Sequence, residues 1–254
     1  ANGTEKIGGV DADVTLSTEG QAVTFVYIDG TQGWVNVLDS TSNVRGNAYL
    51  IATGGCITTC GNDKVHTFLS PGTFCVSVAA ICAANNLVSY VVGAGAGGGG
   101  GSAASFWSGG GGGAGGFREV VSPTSPYTGS PLDGYPTPGN RITVSATPYA
   151  IAVGGGGPGG TGNPACGSRS NGGDGNPSSG LTITSAGGGG GGKSGGTPGA
   201  TAAVGQDGGS GGGGGGFNSD ICGARGVGNT PPTTPDQGQN GGTGYGPPSG
   251  FGGG

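Results

Sequence analysis

The chain has 254 residues, of which 70 are Gly and 16 are Pro, with charged residues at 8% and a net charge of −5. So much Gly and Pro excludes an ordinary helical or α/β globule, because Gly costs backbone entropy inside an element and Pro breaks the helix ladder. So little charge excludes a highly charged disordered tail, and an acidic balance without basic runs excludes the footprint of a nucleic-acid binder.

Composition divides the chain, since 11 Gly lie in residues 1–92 and 59 in residues 93–254. The expected organisation is all-β without substantial α-helix. A β stalk or hairpin segment covers 1–46, a small β-sandwich segment covers 47–92, and a boundary near Val92 opens a glycine-rich body over 93–254. Ala1 to Glu5 carry neither the basic nor the apolar region of a secretory leader, so a processed chain, or one lacking only its initiator Met, is expected. No apolar run approaches the roughly 18 residues of a spanning helix, so membrane insertion is not expected.

Taken in order, apolar alternation predicts strands at 14–16, 23–27 and 34–37. The last two form a hairpin in which Asp29-Gly30 makes the turn through a positive φ at Gly30, and Tyr27 and Trp34 pair across it. Further strands are expected at 48–53, 65–69, 73–78 and 88–92, with Pro71-Gly72 turning between the second and third. Residues 79–84 suit a short helical turn.

Three β-like segments, 90–92, 149–153 and 181–184, run into Gly tracts at 97–101, 154–157 and 187–192, and two more tracts, 109–113 and 211–216, lead to Phe117 and Phe217. A lone Gly tract reads as a flexible linker. Recurrent tracts of similar length between order-forming segments point instead to polyglycine II, an extended helix with three residues per turn and about 3.1 Å per residue. Such helices lack internal hydrogen bonds and are ordered by packing side by side, which only Gly allows. Uninterrupted tracts suit the middle of that packing, and mixed ones such as 159–162 suit the rim.

Several apparent motifs carry little chemistry. Residues 187–194 satisfy the phosphate-loop spelling, but six consecutive Gly meet its Gly positions by composition, and the Gly and Pro residues after Lys193-Ser194 cannot open the helix that holds the phosphates. His66, the single histidine, sits in a predicted strand as a surface or packed residue. Asp11 and Asp13 share no feature that pairs them for acid/base work. No catalytic constellation is found, and no enzyme, cofactor or metal is expected. The spacing of Cys56, Cys60, Cys75, Cys82, Cys166 and Cys222 does not form two zinc knuckles and reads as disulfides in an oxidising location. The simplest pairing by proximity joins Cys56 to Cys60, Cys75 to Cys82 and Cys166 to Cys222. The first of these needs a turn at 57–59, because an extended segment separates its ends by about 13 Å.

Residues 23–35 resemble a strand, turn and Gly-Trp segment of tailed-bacteriophage fibre and appendage proteins. Residues 65–74, then 90–92 entering Gly, then 109–117, are similar to the glycine-rich domain of virion structural proteins, notably of marine and cyanobacterial phages, and the tracts are similar to the polyglycine II body of tail-fibre tip adhesins. The resemblance covers roughly the first half of the chain by motif and the rest by composition. It implies a virion-surface or extracellular structural component, trimeric or fibre-forming, contacting other virion proteins and a host glycan or outer-membrane protein. The turns 122–140 and 163–179 are then free to carry recognition, with Phe106, Trp107, Tyr127, Tyr135 and Tyr245 as candidates for stacking on sugars. A capsid or tail decoration protein and an extracellular filament or matrix protein of a cell are the alternatives.

Overall fold

The computed structural model of the chain describes residues 6–11, 19–39, 47, 49–102, 107–125, 127–162, 168–195, 203–216, 223–245 and 252–254. The expected strand at 14–16 lies outside the described residues. The described residues form thirteen short strands: β1 (Val23–Asp29), β2 (Gly33–Asp39), β3 (Ile51–Thr53), β4 (Cys56–Cys60), β5 (Asp63–Thr67), β6 (Gly72–Val78), β7 (Leu87–Val88), β8 (Tyr90–Gly93), β9 (Phe117–Val120), β10 (Ile142–Thr143), β11 (Pro148–Ile151), β12 (Ser178–Gly180) and β13 (Ile183–Ser185). The helical content of the described residues is two short 3-10 turns, Ala83–Asn86 and Pro138–Asn140. The fold is all-β, and no described helix is long and apolar enough to cross a membrane.

The first hairpin forms as its alternation predicts. β1 pairs with β2 in antiparallel register, and Tyr27 faces Trp34 edge-on with ring centroids 5.5 Å apart. Its turn differs from expectation, because the positive φ falls on Gly33 (+66°) rather than on Gly30. A Cβ on Gly33 would overlap the Lys6 carbonyl, which accepts from the Trp34 amide at 2.8 Å. The loop is instead organised by the Asp29 carboxylate, which accepts from the Thr31 and Gln32 amides at 2.8 and 2.7 Å.

β6 is the centre of a three-stranded sheet in the order β11-β6-β3, while β4 pairs with β5, β7 with β10, β8 with β9 and β12 with β13. Pro71-Gly72 therefore connects two sheets rather than turning between paired strands. The buried core consists of Phe74, Val76, Ile142, Val144 and Ile183, with Tyr149, Ile151 and Leu181 packed against it. β9, β10 and β11 follow Val92 and pair with strands that precede or span it, so the compositional boundary near Val92 runs through sheets and core. Its physical reason is that β6, β7 and β8 are each completed by a later strand, although β3 with β6 and β4 with β5 pair within residues 47–92.

Segment 181–184, expected as a strand, divides. Leu181 (φ 53°) and Thr182 (φ 70°) are the two-residue turn between β12 and β13. That conformation normally takes Asn or Gly, and the burial of Leu181 against the core holds it there.

Beyond the strands the backbone becomes an array of extended segments whose hydrogen bonds change partner with a period of three. The amides of Ala94, Gly97 and Gly100 donate to the carbonyls of Gly116, Gly113 and Gly110, whereas those of Gly95, Gly98 and Gly101 donate to Asn176, Gly173 and Ser170. The carbonyls of Gly95, Gly98 and Gly101 accept from Gly188, Gly191 and Ser194. A turn of 120° per residue is the signature of polyglycine II. No tract glycine has a left-handed φ; Gly is needed here because a Cβ would overlap a neighbouring backbone.

Traced through these bonds, ten segments stack in three rows. The first row holds 154–161, 94–101, 109–116 and 252–254; the second holds 170–176, 187–195, 210–216 and 239–244; the third holds 203–209 and 223–229. The uninterrupted tract 211–216 is buried throughout and enclosed by the segments 109–116, 187–195, 203–209, 223–229, 239–244 and 252–254. Mixed segment 154–161 lies at the rim, with Gly155 and Gly159 open to space. Parallel and antiparallel neighbours coexist, since 187–195 runs parallel to 94–101 and antiparallel to 109–116.

Candidate functional site

The array has two unlike ends. At one, residues 94, 116, 154, 176 and 186 run into or out of β8, β9, β11, β12 and β13. At the other, remote from the strands, lie the segment ends at 101, 109, 161, 170, 195, 203, 216, 223, 244 and 252.

The aromatic candidates split between these ends. Trp107, half-buried, and Tyr245, exposed, flank the remote end, and Phe106 lies outside the described residues. Tyr127 and Tyr135 belong to the loop between β9 and β10, at the strand end. No two of the described candidates are in ring contact.

The 122–140 turn is a structured loop rather than a freely varying one. Glu119 of β9 accepts from the Ser130 amide at 2.9 Å and from the Ser130 hydroxyl. Asp133 accepts from the amides of Val121 and Tyr135 at 3.1 and 2.9 Å. Buried Asn140 accepts from the Arg118 guanidinium at 2.7 Å and donates to the carbonyls of Gly134 and Thr234 at 3.2 and 2.7 Å. The Asn140 carbonyl accepts from the half-buried Tyr90 hydroxyl at 2.9 Å, and burial raises the pKa of that phenol. Arg141 stacks on Tyr135, 4.3 Å from the ring centroid, and donates to the Tyr135 carbonyl at 2.8 Å. One ring face is thereby engaged by a cation.

The second supposed turn, 163–179, is mostly not a turn. Residues 163–167 lie outside the described residues, while 170–176 is a segment of the array and Ser178 and Ser179 belong to β12. Beside it, the loop over 229–237 is closed by Asn229, which accepts from the Thr233 amide and hydroxyl at 2.9 and 3.0 Å. Gln237 is 2% exposed. It accepts from the Ala186 amide at 2.8 Å and donates to the Pro231 carbonyl at 2.7 Å, sealing the strand end with a satisfied polar side chain.

β4 is extended from Cys56 to Cys60, so these residues do not bridge and the proximity pairing fails for the reason that its geometry set out. Cys56, Cys60, Cys75 and Cys82 are free thiols, and Cys166 and Cys222 lie outside the described residues. Cys60 instead meets Tyr127, and this hydrogen bond, followed by desolvation, raises the pKa of the phenol. His66 is a packed residue, with Nδ1 2.8 Å from the Gly54 carbonyl and its ring edge-on to Phe74 at 5.0 Å.

The phosphate-loop spelling has no matching geometry. The amides of Gly188, Gly189, Gly191 and Gly192 all donate to backbone carbonyls, and those of Gly190 and Lys193 to the side chains of Asp174 and Asn171 at 2.8 and 3.0 Å. None of these six amides is left to hold an anion. Among the described residues no three His, Cys, Asp or Glu side chains gather as a metal site would require.

Residues 69–254 match the family described as the glycine-rich domain, well over half of the chain, and the chain belongs to that family. No curated protein matches it, and no solved structure does. The matched region begins near the start of β6, upstream of the rise in glycine content, and contains both the strand core and the array.

Proposed function

We propose that this chain is a structural component of a bacteriophage virion appendage, a tail fibre or similar fibre, exposed on the particle and in contact with the host surface, without catalytic activity. The observation that carries this reading is the three-row array of extended segments held by backbone hydrogen bonds. A body held by interlocked backbone hydrogen bonds offers a protease few extended, accessible segments. It also keeps its stiffness without a large apolar core. Connections at one end can change in sequence without disturbing the rows, which suits a surface that meets a variable host. Trp107 and Tyr245, at that end, supply the aromatic faces on which a sugar ring would stack.

Cryo-electron microscopy of the native particle that carries the chain tests the reading. Parallel rods of density within an appendage, their remote end outward, are expected. An endless filament with no virion attached would overturn it in favour of a cellular matrix protein. Copies spread over a capsid shell would overturn it in favour of a decoration protein. Binding of the full chain to host-surface polysaccharide, weakened by W107A and Y245A together, tests the contact itself.

A further inference from the structure

β4 is an edge strand, paired with β5 and exposed along its whole length. Its register closes on the pair Cys60 and Asp63 across the two-residue turn Gly61-Asn62, with a positive φ (+59°) at Gly61. A turn of that length makes the closing pair a hydrogen-bonded one, and the alternation of an antiparallel ladder fixes the rest. The backbone groups of Cys56, Thr58 and Cys60 point at β5, and those of Ile57 and Thr59 point away from it. Among the described residues nothing pairs with these outward groups. The other hairpin strands are blunted: β5 carries Asp63 and Lys64, β1 and β2 meet with two register shifts, and Lys6 and Gly8 bond Trp34 on the outer edge of β2. What singles β4 out is its thiols. Cysteine occurs twice on it and on no other edge strand, and Cys56, Thr58 and Cys60 share one face.

We propose that β4 is the seat of a covalent dimer, in which two copies of the chain pair antiparallel along it and are closed by disulfides from Cys56 of each copy to Cys60 of the other. A two-fold axis through Thr58 sets Ile57 of one copy against Thr59 of the other, so the outward amides and carbonyls satisfy each other. Cys56 then faces Cys60 in a non-hydrogen-bonded pair, its Cα atoms about 4.5 Å apart and inside the roughly 4.4–6.8 Å that a disulfide spans. Within one copy the extended strand holds the same two thiols about 13 Å apart, too far to bridge. Thr58 meets Thr58 across the axis, a favourable cross-strand pair, and Gly55 falls opposite Gly61, so no side chain collides just beyond either bridge. The Cys60 sulfur already meets the exposed Tyr127 hydroxyl, and as a bridge sulfur it can go on accepting from it. The oxidant is a small-molecule disulfide. For each bridge the Cys56 thiolate attacks it, forming a mixed disulfide and releasing one small thiol; the Cys60 thiolate of the second copy then displaces the other. Two protein thiols are oxidised, the small disulfide is reduced to two thiols, and these take up the two protons. The inference rests on β4 alone and stands or falls apart from the appendage reading.

The test mixes equal amounts of unlabelled and heavy-nitrogen-labelled full chain and treats them with oxidised glutathione. Trypsin cuts after Arg45 and Lys64 and frees residues 46–64, which hold Cys56 and Cys60 and no other cysteine. The expected product by mass spectrometry is a pair of these peptides doubly bridged, partly of mixed isotope, that separates on reduction. Cys56→Ser and Cys60→Ser, both at exposed positions, should each lose this product when oxidised alone. Mixed with each other, the two variants should regain a singly bridged pair, because only then does a Cys56 find a Cys60 across the axis. The isotope experiment on the parent chain needs no variant and so does not depend on how the variants fold. A bridged pair from either variant alone would overturn the proposal, since it would show indiscriminate cross-linking. So would a parent peptide that stays single, that is bridged only within itself, or that is bridged only to another cysteine of the chain.

Discussion

Replacing Gly191 with Ala tests whether the tracts are glycine for want of space. Gly191 is buried in the central segment 187–195, and a Cβ there would overlap the Gly110 carbonyl oxygen and lie 2.8 Å from that of Gly111. Neither is a side-chain end that can swing aside; both belong to the backbone of 109–116. Relief requires that segment to withdraw, which strains or breaks the bonds from Gly110, Gly113 and Gly116 to Gly192, Gly189 and Ala186, at 2.8, 2.8 and 2.7 Å. At roughly 0.5–1.5 kcal/mol for each bond, with an overpacking cost of about 1–3 kcal/mol, the loss amounts to about 3–6 kcal/mol. In a domain of this size that is a fall in Tm of roughly 10–20 °C. Gly155→Ala is the matched control, since nothing lies within 4 Å of its Cβ and its φ is not left-handed. It should stabilise by about 0.4–1 kcal/mol, through the unfolded chain. Thermal unfolding of both variants, with hydrogen exchange at 187–195, reads the difference. Equal, small effects at the two positions would refute the steric argument, because they would mean that the neighbouring segments give way freely.

Thr182→Gly relieves a β-branched residue of φ 70° in the β12–β13 turn and is expected to stabilise by about 1 kcal/mol or more in urea melts. Gln237→Leu leaves the part-buried Ala186 amide and the Pro231 carbonyl without their partner, an expected loss of about 1–3 kcal/mol in the same assay. Asp29 is held below the usual carboxylate range by the amides of Gln32 and then Thr31. A depressed folded pKa gives a contribution that is present above the unfolded pKa of about 3.9 and is lost as pH falls through the lower folded value. The amide shifts of Thr31 and Gln32 should therefore titrate with a midpoint below about 3.9, and a midpoint at or above it would remove the carboxylate from the turn.

Much of the array was legible in the sequence, because a polyglycine helix is specified by the absence of side chains, which composition records directly. The uninterrupted tract 211–216 lies inside and the mixed 154–161 at the rim, as steric reasoning requires. The Tyr27–Trp34 pairing was legible too, since a short hairpin carries its own register. Longer-range choices were not. Nothing in 72–78 announces that its partners lie at 51–53 and 148–151, so the division at Val92 missed the shared core. β4 escaped notice because Cys56 to Cys60 has little apolar alternation, and its pairing with β5 depends on the Gly61-Asn62 loop. The caps from Asp174 and Asn171 were invisible for a different reason. They are ordinary turn residues whose role appears only once the amide that each one covers is in place. The aromatic candidates were chosen by residue type, and type alone does not tell one end of the array from the other.

The period of three in the hydrogen bonds gives this body something like a reading frame. Removing one residue from the middle of a tract would turn every later amide and carbonyl by 120° and aim them at the wrong neighbours. Removing three would shift the tract by one turn, about 9 Å, and return each group to an equivalent partner. Length changes inside the rows are thus quantised in triplets, while the connections at the remote end obey no such arithmetic. A sequence drifting under these rules would keep a rigid body in phase and vary at its tip.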